Sequence, residues 1–214
     1  MAEPVLSTTS YAILGYLAVR PWTAYELTKQ LGRSFHHFWP RAESGIYREF
    51  KRLTAAGLAV ATVERDGGRV RSRYALTEAG RAALDAWLAE PTSEGFLESE
   101  GLVRLLFSDR MSPETTLRLL DEMARRADGT AAQMAEAMDD YLENGGPFPE
   151  RAHVNVLIAR FLIDFAEMVS RWRDWSATVV EDWPDELPAR TIDDERIRSH
   201  IRSTIDVHRR RPAR

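Results

Sequence analysis

A change from helical to alternating periodicity lies between Leu58 and Leu76. The stretch LAVATVER alternates as a strand does, DGGR supplies residues that tolerate positive φ, and RSRYAL can form the returning strand. The pattern therefore predicts a β-hairpin with a glycine turn. Helical patterns flank it on both sides, so the chain is predicted to be mainly α with one hairpin.

Two short helices are predicted before position 35. Ser10 can cap the first, whose apolar residues Ile13, Leu14 and Leu17 share one face, and the helix should end before Pro21. The second begins with a T-x-x-E capping box, TAYE, and runs to about residue 31.

A third helix is predicted from about Glu43 to Ala56. Gly57 stands at its C′ position, as in a Schellman cap. After the hairpin, Thr77 caps a fourth helix, EAGRAALDAWL, with Leu84 on its apolar side. The order helix, helix, helix, hairpin, helix is that of a winged helix-turn-helix.

In that fold the third helix enters the major groove of DNA. Ile46, Phe50 and Leu53 have the spacing of a core-facing row. The other face carries side chains that can reach phosphates or base edges. The predicted DNA-binding residues on this helix are Ser44, Tyr47, Arg48, Lys51 and Arg52.

The hairpin is rich in arginine although the chain has a net charge of −4. Only two of its 29 cationic residues are lysine, so arginine is the ordinary basic residue of this chain. A run of arginines is therefore weak evidence of DNA binding unless its position in the fold also favours it. At the tip of a wing, the cations would lie along the phosphate backbone beside the groove. Arg69, Arg71 and Arg73 are therefore predicted to bind DNA, the alternative being a solvated hairpin.

The charge is divided unevenly along the chain. Residues 1–90 hold 12 Lys and Arg against 9 Asp and Glu, whereas residues 91–214 hold 17 against 24. We expect a DNA-binding domain over 1–90 and a helical dimerisation domain, which is also a candidate for effector binding, over 91–214, joined at Pro91–Phe96. The absence of cysteine and of an 18-residue apolar run favours a cytoplasmic protein without a membrane partner.

An unbroken heptad stripe marks the second half of the chain. Its apolar positions, spaced 4, 3, 4, 3, 4, 3, 4, are Val154, Ile158, Phe161, Phe165, Met168, Trp172, Trp175 and Val179. Such a stripe predicts a helix whose seam packs on one or more other helices, within the chain or across a dimer. The predicted dimer or ligand residues are Trp87, Ile158, Phe161, Phe165, Met168, Trp172 and Trp175, with simple core packing as the alternative.

Three further helical features surround this stripe. Ser112 can cap a helix with Pro113 at its first position. The segment NGGPFPE, Asn144 to Glu150, should form the turn that follows, and a last helix is expected from Thr191 to about Arg210.

Several of these segments resemble the PadR family of transcriptional regulators. They are YAILGYL, TAYEL, SGIYREFKRLTAAGLA and RYALTEAGRAAL, and the later LVRLLFSDRMSPETTLRLLDEM and LIARFLIDFAEMVSRWRDW are similar to the helical C-terminal domain of its longer members. The resemblance implies a homodimer that binds a double-stranded operator and represses transcription. It also implies release by a small molecule, for which the tryptophans make an aromatic effector a candidate.

Other functional classes find less support. The sequence has no Gly-rich phosphate loop, nucleophile elbow or His–carboxylate pairing at useful spacing, so neither an enzyme nor a cofactor is expected. The adjacent His36 and His37 lack a third ligand at metal spacing. A winged helix that binds a protein instead of DNA, and a winged-helix repressor of another family, remain alternatives.

Overall fold

The computed structural model describes residues 6–34, 45–66, 69–92, 98–183 and 195–210. The chain forms two compact units, Met1–Gly95 and Phe96–Arg214. The first contains α1 (Thr8–Val19), β1 (Trp22–Thr23), α2 (Ala24–Ser34), α3 (Ile46–Ala55), β2 (Ala59–Asp66), β3 (Arg69–Leu76) and α4 (Glu78–Ala89). The second contains α5 (Glu100–Leu106), α6 (Pro113–Asn144), α7 (Ala152–Glu181) and α8 (Glu195–Arg209).

The start of α1 differs from the prediction. Ser7, not Ser10, is the N-cap, and its Oγ accepts a hydrogen bond of 3.1 Å from Ser10 N–H. Ser10 completes a capping box, because its own Oγ accepts from Ser7 N–H at 3.1 Å. Sequence reasoning chose the serine nearest the apolar run, whereas the helix begins one turn earlier.

The capping box of α2 and the Schellman end of α3 are confirmed. Thr23 N–H donates to Glu26 Oε2 at 2.9 Å, and Glu26 N–H donates to Thr23 Oγ1 at 3.2 Å. At the end of α3, Gly57 has a φ of 72°, which favours glycine. Leu58 N–H then reaches back to the carbonyl of Leu53 at 2.9 Å.

The predicted hairpin is present and gains a third strand. β2 and β3 pair antiparallel, in a register that runs from Ala59 opposite Leu76 to Asp66 opposite Arg69. The two-residue strand β1 adds to the other side of β3, pairing Trp22 with Tyr74 and Thr23 with Arg73, so the strand order is β1-β3-β2. The sequence reasoning missed β1 because two residues are too few to show alternation.

One core holds the first unit together. Its fully buried apolar side chains are Ile13, Leu14, Leu27, Leu31, Phe50 and Leu53. Thr77 caps α4 as predicted, accepting from Gly80 N–H at 3.0 Å and donating to the Gly57 carbonyl at 2.8 Å. A Cβ on Gly80 would lie 2.0 Å from the Leu58 carbonyl oxygen, so glycine allows α4 to approach the end of α3.

The second unit is built on the packing of α6 along α7. Ser112 caps α6, with Pro113 in the first turn as predicted, and its Oγ accepts from Thr115 N–H at 3.2 Å. The predicted turn follows α6, where Gly145 and Gly146 both have positive φ. None of the described helices is long and apolar enough to span a membrane.

Candidate nucleic-acid interface

The two faces of α3 are divided as the sequence predicts. Ile46, Phe50 and Leu53 are buried, and Phe50 stacks on Tyr74 of β3 with ring centroids 4.2 Å apart. The outer face carries Tyr47, Arg48, Lys51 and Arg52, of which the first three are exposed and Arg52 is half-buried. The predicted Ser44 lies outside the described residues.

A buried carboxylate lies on the inner side of α3. Glu49 is 8% exposed, and its Oε2 accepts a hydrogen bond of 2.5 Å from Ser10 Oγ of α1. Its Oε1 lies 3.7 Å from Arg52 Nη1. Sequence reasoning missed this residue, although Glu49 follows Ile46 by three positions and therefore shares the core-facing row. The bond ties α3 to α1 through the capping residues of α1.

The predicted wing arginines differ in their surroundings. Arg71 is exposed, whereas Arg73 is half-buried and its Nε donates to Glu64 Oε1 and Oε2 at 3.0 and 2.9 Å. Arg73 Nη1 also lies 3.4 Å from Glu26 Oε2 and donates to the Pro21 carbonyl at 3.3 Å. The side chain of Arg69 lies outside the described residues.

The ion pair between Arg73 and Glu26 joins the wing to the first turn of α2, and the pair between Arg73 and Glu64 lies within the hairpin. The hydrogen bond to Glu64 raises the pKa of Arg73, which stays fully charged. The hydrogen bond from Thr23 N–H, assisted by the charge of Arg73, holds the pKa of Glu26 below its usual range. This arrangement favours a structural role for Arg73 and leaves Arg71 as the exposed arginine in the described part of the wing.

The side chains that α7 buries form a row beside the predicted heptad seam, and not the seam itself. Helix α7 buries a row one position further along the chain, comprising Ala159, Leu162, Ala166, Val169, Ser176 and Val180. Arg173 continues this row and donates from Nε to Asp121 Oδ1 of α6 at 2.6 Å. The row therefore serves the contact with α6 within the chain.

The predicted seam is left largely uncovered in a single chain. Ile158, Phe161, Met168 and Trp175 are exposed, while Phe165 and Trp172 are half-buried. Phe161 and Phe165 stack with centroids 6.5 Å apart, and Trp175 meets the ring of His200 of α8 edge-on. The interpretation of the seam as the internal core of the chain is therefore wrong for its exposed positions.

Trp87 has a different environment from the tryptophans of α7. It is half-buried in the first unit and stacks on Tyr11 of α1, with centroids 4.6 Å apart and planes 5° apart. Trp172 and Trp175 belong to the second unit. This stacking gives Trp87 a packing role that joins α4 to α1.

An open cleft of about 870 Å³ lies among α5, α6 and α7. It is lined by charged residues, including Arg104, Arg118, Arg125, Arg173 and Asp121, together with a few apolar ones such as Met111. The aromatic residues predicted to bind a ligand are not part of its lining. Among the described residues, no cluster of His, Asp or Glu could hold a metal ion.

Comparison with known protein families agrees with this architecture. A profile of the transcriptional regulator PadR-like family matches residues 13–86, and one for the virulence activator alpha C-terminal region matches residues 99–181. The first covers the described helix-turn-helix and wing. The second covers α5, α6 and α7.

Two curated relatives match at the sequence level. The chain is 34% identical over 84 residues to a probable transcriptional regulator of Mycobacterium tuberculosis, which is 39% of this chain and 44% of that protein. It is 24% identical over 154 residues to the negative transcriptional regulator PadR of Bacillus subtilis, which is 69% of this chain and 84% of the relative.

Solved structures share the fold. Bacillus subtilis PadR in complex with operator DNA has a TM-score of 0.69 at 18% identity, covering 81% of this chain and 99% of that one. The same protein in complex with p-coumaric acid has a TM-score of 0.63, also at 18% identity, covering 82% and 100%. The profile matches show that the chain carries a domain of the transcriptional regulator PadR-like family over residues 13–86, followed over residues 99–181 by a region that matches the virulence activator alpha C-terminal profile, and the PadR-like family is one of regulators and not of enzymes.

Proposed function

We propose that this protein is a homodimeric repressor that binds a partly palindromic operator through α3 and the wing. The observation that carries the proposal is the division of α3, with Ile46, Phe50 and Leu53 in the core and a phenol and three cations on the outside. A major groove admits such a helix. The operator complex of Bacillus subtilis PadR, a protein of the same fold, supports DNA as the ligand.

The exposed cations have different proposed roles. Arg48 and Lys51 are proposed as readers of base edges, since guanidinium and ammonium groups both bond guanine in the major groove. Arg71 of the wing, with Arg69 and Ser44 as further predicted contacts, would bind backbone phosphates. Such contacts position the protein without carrying sequence information.

The seam of α7 is the proposed dimer surface. It is a long apolar stripe, and the row beside it already serves the contact with α6. A second copy of the chain would cover it. Two recognition helices related by a two-fold axis would then contact half-sites about one helical turn apart, or a multiple of it.

A small aromatic molecule is proposed to release the repressor. Trp172 and Trp175 on the seam offer flat surfaces for stacking, and p-coumaric acid is bound by Bacillus subtilis PadR. Release requires that the ligand favour a dimer unable to bind the operator. If the ligand binds this form a hundredfold more tightly than the operator-binding form, it favours release by roughly 2.7 kcal/mol.

Duplex binding tests the proposed function. The wild type is used to select duplexes from a random library, and the selected duplex is then bound by the wild type and by Arg48→Glu. We expect the wild type to enrich a site with two-fold symmetry and the charge reversal to abolish binding. Failure of the wild type to bind any duplex would contradict the proposal and favour a protein-binding winged helix.

Screening tests the effector. Planar aromatic acids that quench tryptophan fluorescence should weaken binding to the selected duplex, and Trp172→Ala should reduce both effects. Compounds that bind without changing duplex affinity would instead indicate a constitutive repressor.

A further inference from the structure

Helices α2 and α3 carry the same short pattern. Residues 25–31 read YELTKQL and residues 47–53 read YREFKRL, so tyrosine, lysine and leucine recur at positions one, five and seven. The closing leucines, Leu31 and Leu53, are both fully buried. The two helices therefore present corresponding positions to the core and to the outside.

The lysines make this correspondence unusual within the chain. Lys29 and Lys51 are the only lysines among its 29 cationic residues. Both lie on helices of the helix-turn-helix, and both are exposed. Lysine differs from arginine in being a compact point charge on a flexible stem, so it binds a phosphate as a single charge and not through a bidentate pair of hydrogen bonds.

The Tyr–Lys pair of α2 points away from the core. Residues four apart on a helix share a face, and residues two apart lie on nearly opposite sides. Tyr25 and Lys29 are therefore opposed to the fully buried Leu27 and Leu31. Tyr25 is 69% exposed, compared with 58% for Tyr47 on α3.

The first turn of α2 also lies against the wing. Thr23, which caps α2, pairs with Arg73 of β3, and Glu26 lies 3.4 Å from the same arginine. Helix α2 packs on α3 as well. Tyr25 and Lys29 thus belong to an element that is held between the wing and the recognition helix.

The flanking residues distinguish the two helices. Where α3 has Arg48 and Arg52, α2 has Glu26 and Gln30. Glu26 is occupied by the capping box and by Arg73. Over residues 25–31, the outer face of α2 thus combines one phenol and one ammonium and has no guanidinium group, the group that reads guanine most often.

We propose that Tyr25 and Lys29 form a phosphate-binding pair that fixes the register of α3 on the duplex. The Lys29 ammonium contacts a backbone phosphate, and the Tyr25 hydroxyl donates a hydrogen bond to the same strand. This inference depends on the proposed DNA binding and adds a second, sequence-independent contact surface to it. It predicts that α2 contributes affinity and α3 contributes base preference.

The test compares two matched lysine variants in the full-length protein. Lys29→Gln and Lys51→Gln are titrated with the duplex selected by the wild type and with a random-sequence duplex, at several salt concentrations. Lys29→Gln should weaken binding to both duplexes by the same factor, about tenfold per lost phosphate contact near 0.1 M salt. Its log K against log salt slope should fall by about two units in a dimer. Lys51→Gln should weaken the selected duplex more than the random one.

Two further variants separate the contribution of the Lys29 charge from that of the Tyr25 hydroxyl. Lys29→Arg keeps the cation and should restore the salt slope. Tyr25→Phe should weaken both duplexes equally without changing the slope, because a neutral hydroxyl releases no counterion. Both positions are exposed, so thermal unfolding should match the wild type.

The experiment distinguishes failure of the phosphate-pair proposal from failure of the proposed DNA binding. If the wild type binds a duplex but Lys29→Gln has an unchanged slope, or if it alters base preference, the phosphate pair is overturned while the proposed function stands. If the wild type binds no duplex, both are overturned.

Discussion

Ser10 Oγ donates a hydrogen bond of 2.5 Å to Glu49 Oε2, and both residues are buried. The bond joins the first turn of α1 to the inner side of α3. A buried carboxylate is costly unless it is hydrogen-bonded. The orientation of α3 therefore depends on a serine that is 39 positions away in sequence.

Removal of either partner alone should destabilise the first unit. Ser10→Ala leaves the Glu49 carboxylate without its buried donor, so the free energy of unfolding should fall by about 1 to 3 kcal/mol. The double variant Ser10→Ala/Glu49→Met removes both polar groups and should recover part of that loss. Denaturant unfolding of the wild type, of Ser10→Ala, of Glu49→Met and of the double variant measures the effect, and a double variant whose loss equals the sum of the two single losses would contradict it.

The two described wing arginines should respond differently to alanine. Arg71→Ala removes an exposed cation and should lower the slope of log K against log salt by up to about two units in a dimer. Arg73→Ala removes the ion pairs with Glu64 and Glu26, which are partly exposed and contribute about 0 to 1 kcal/mol each. It should reduce stability slightly and leave the slope nearly unchanged. The opposite pattern would assign the phosphate contact to Arg73.

Stability at acid pH should depend on Glu26. Its folded-state pKa lies below the ordinary value of 4.5, because of the Thr23 N–H hydrogen bond and Arg73. The resulting stabilisation is therefore fully present above about pH 4.5 and is lost as the pH falls through the lower folded-state pKa. Glu26→Gln should be less stable than the wild type at pH 6, and the difference should shrink towards pH 3. A constant difference across this range would exclude the linkage.

The proposed base readers should alter preference as well as affinity. Arg48→Ala or Lys51→Ala should cost roughly 1 to 3 kcal/mol on the selected duplex and much less on a random one. Competition titrations with the two duplexes measure the difference. Equal losses of affinity for the two duplexes would indicate that the residue contacts the phosphate backbone and not the bases.

Local signals in the sequence predicted the elements that position the site. The box at Thr23 and Glu26, the glycine after α3 and the cap at Thr77 each depend on residues within four positions of one another, so single-chain patterns suffice to find them. The Ser10–Glu49 bond and the partners of Arg73 join distant segments and leave no local periodicity.

The seam of α7 shows a second limit. A heptad pattern identifies an apolar row but not the helix that covers it. In α7 two adjacent rows are largely apolar, and the less conspicuous one, rich in alanine, packs on α6 because small side chains allow close approach. Of the larger aromatic residues of the seam, Phe161 and Trp175 are left on the outside, and Phe165 and Trp172 are half-buried.

Phe161 and Leu162 provide a matched test of that division. Phe161 on the seam is 64% exposed in the single chain, whereas the next residue, Leu162, is 5% exposed in the row beside α6. In the proposed dimer, Phe161→Glu would place a carboxylate in a desolvated interface, at a cost of several kcal/mol. It should yield a folded monomer that binds the selected duplex weakly. Leu162→Ala should instead lower the free energy of unfolding by about 2 to 5 kcal/mol through the cavity it creates.

Sedimentation at several protein concentrations, with circular dichroism to follow unfolding, separates the two effects. Because dimerisation stabilises by mass action, the unfolding temperature of the wild type should rise with concentration, and that of Phe161→Glu should not. If Phe161→Glu remains a dimer at the concentrations where the wild type does, the seam is not the interface, and another surface of the chain must join the two recognition helices.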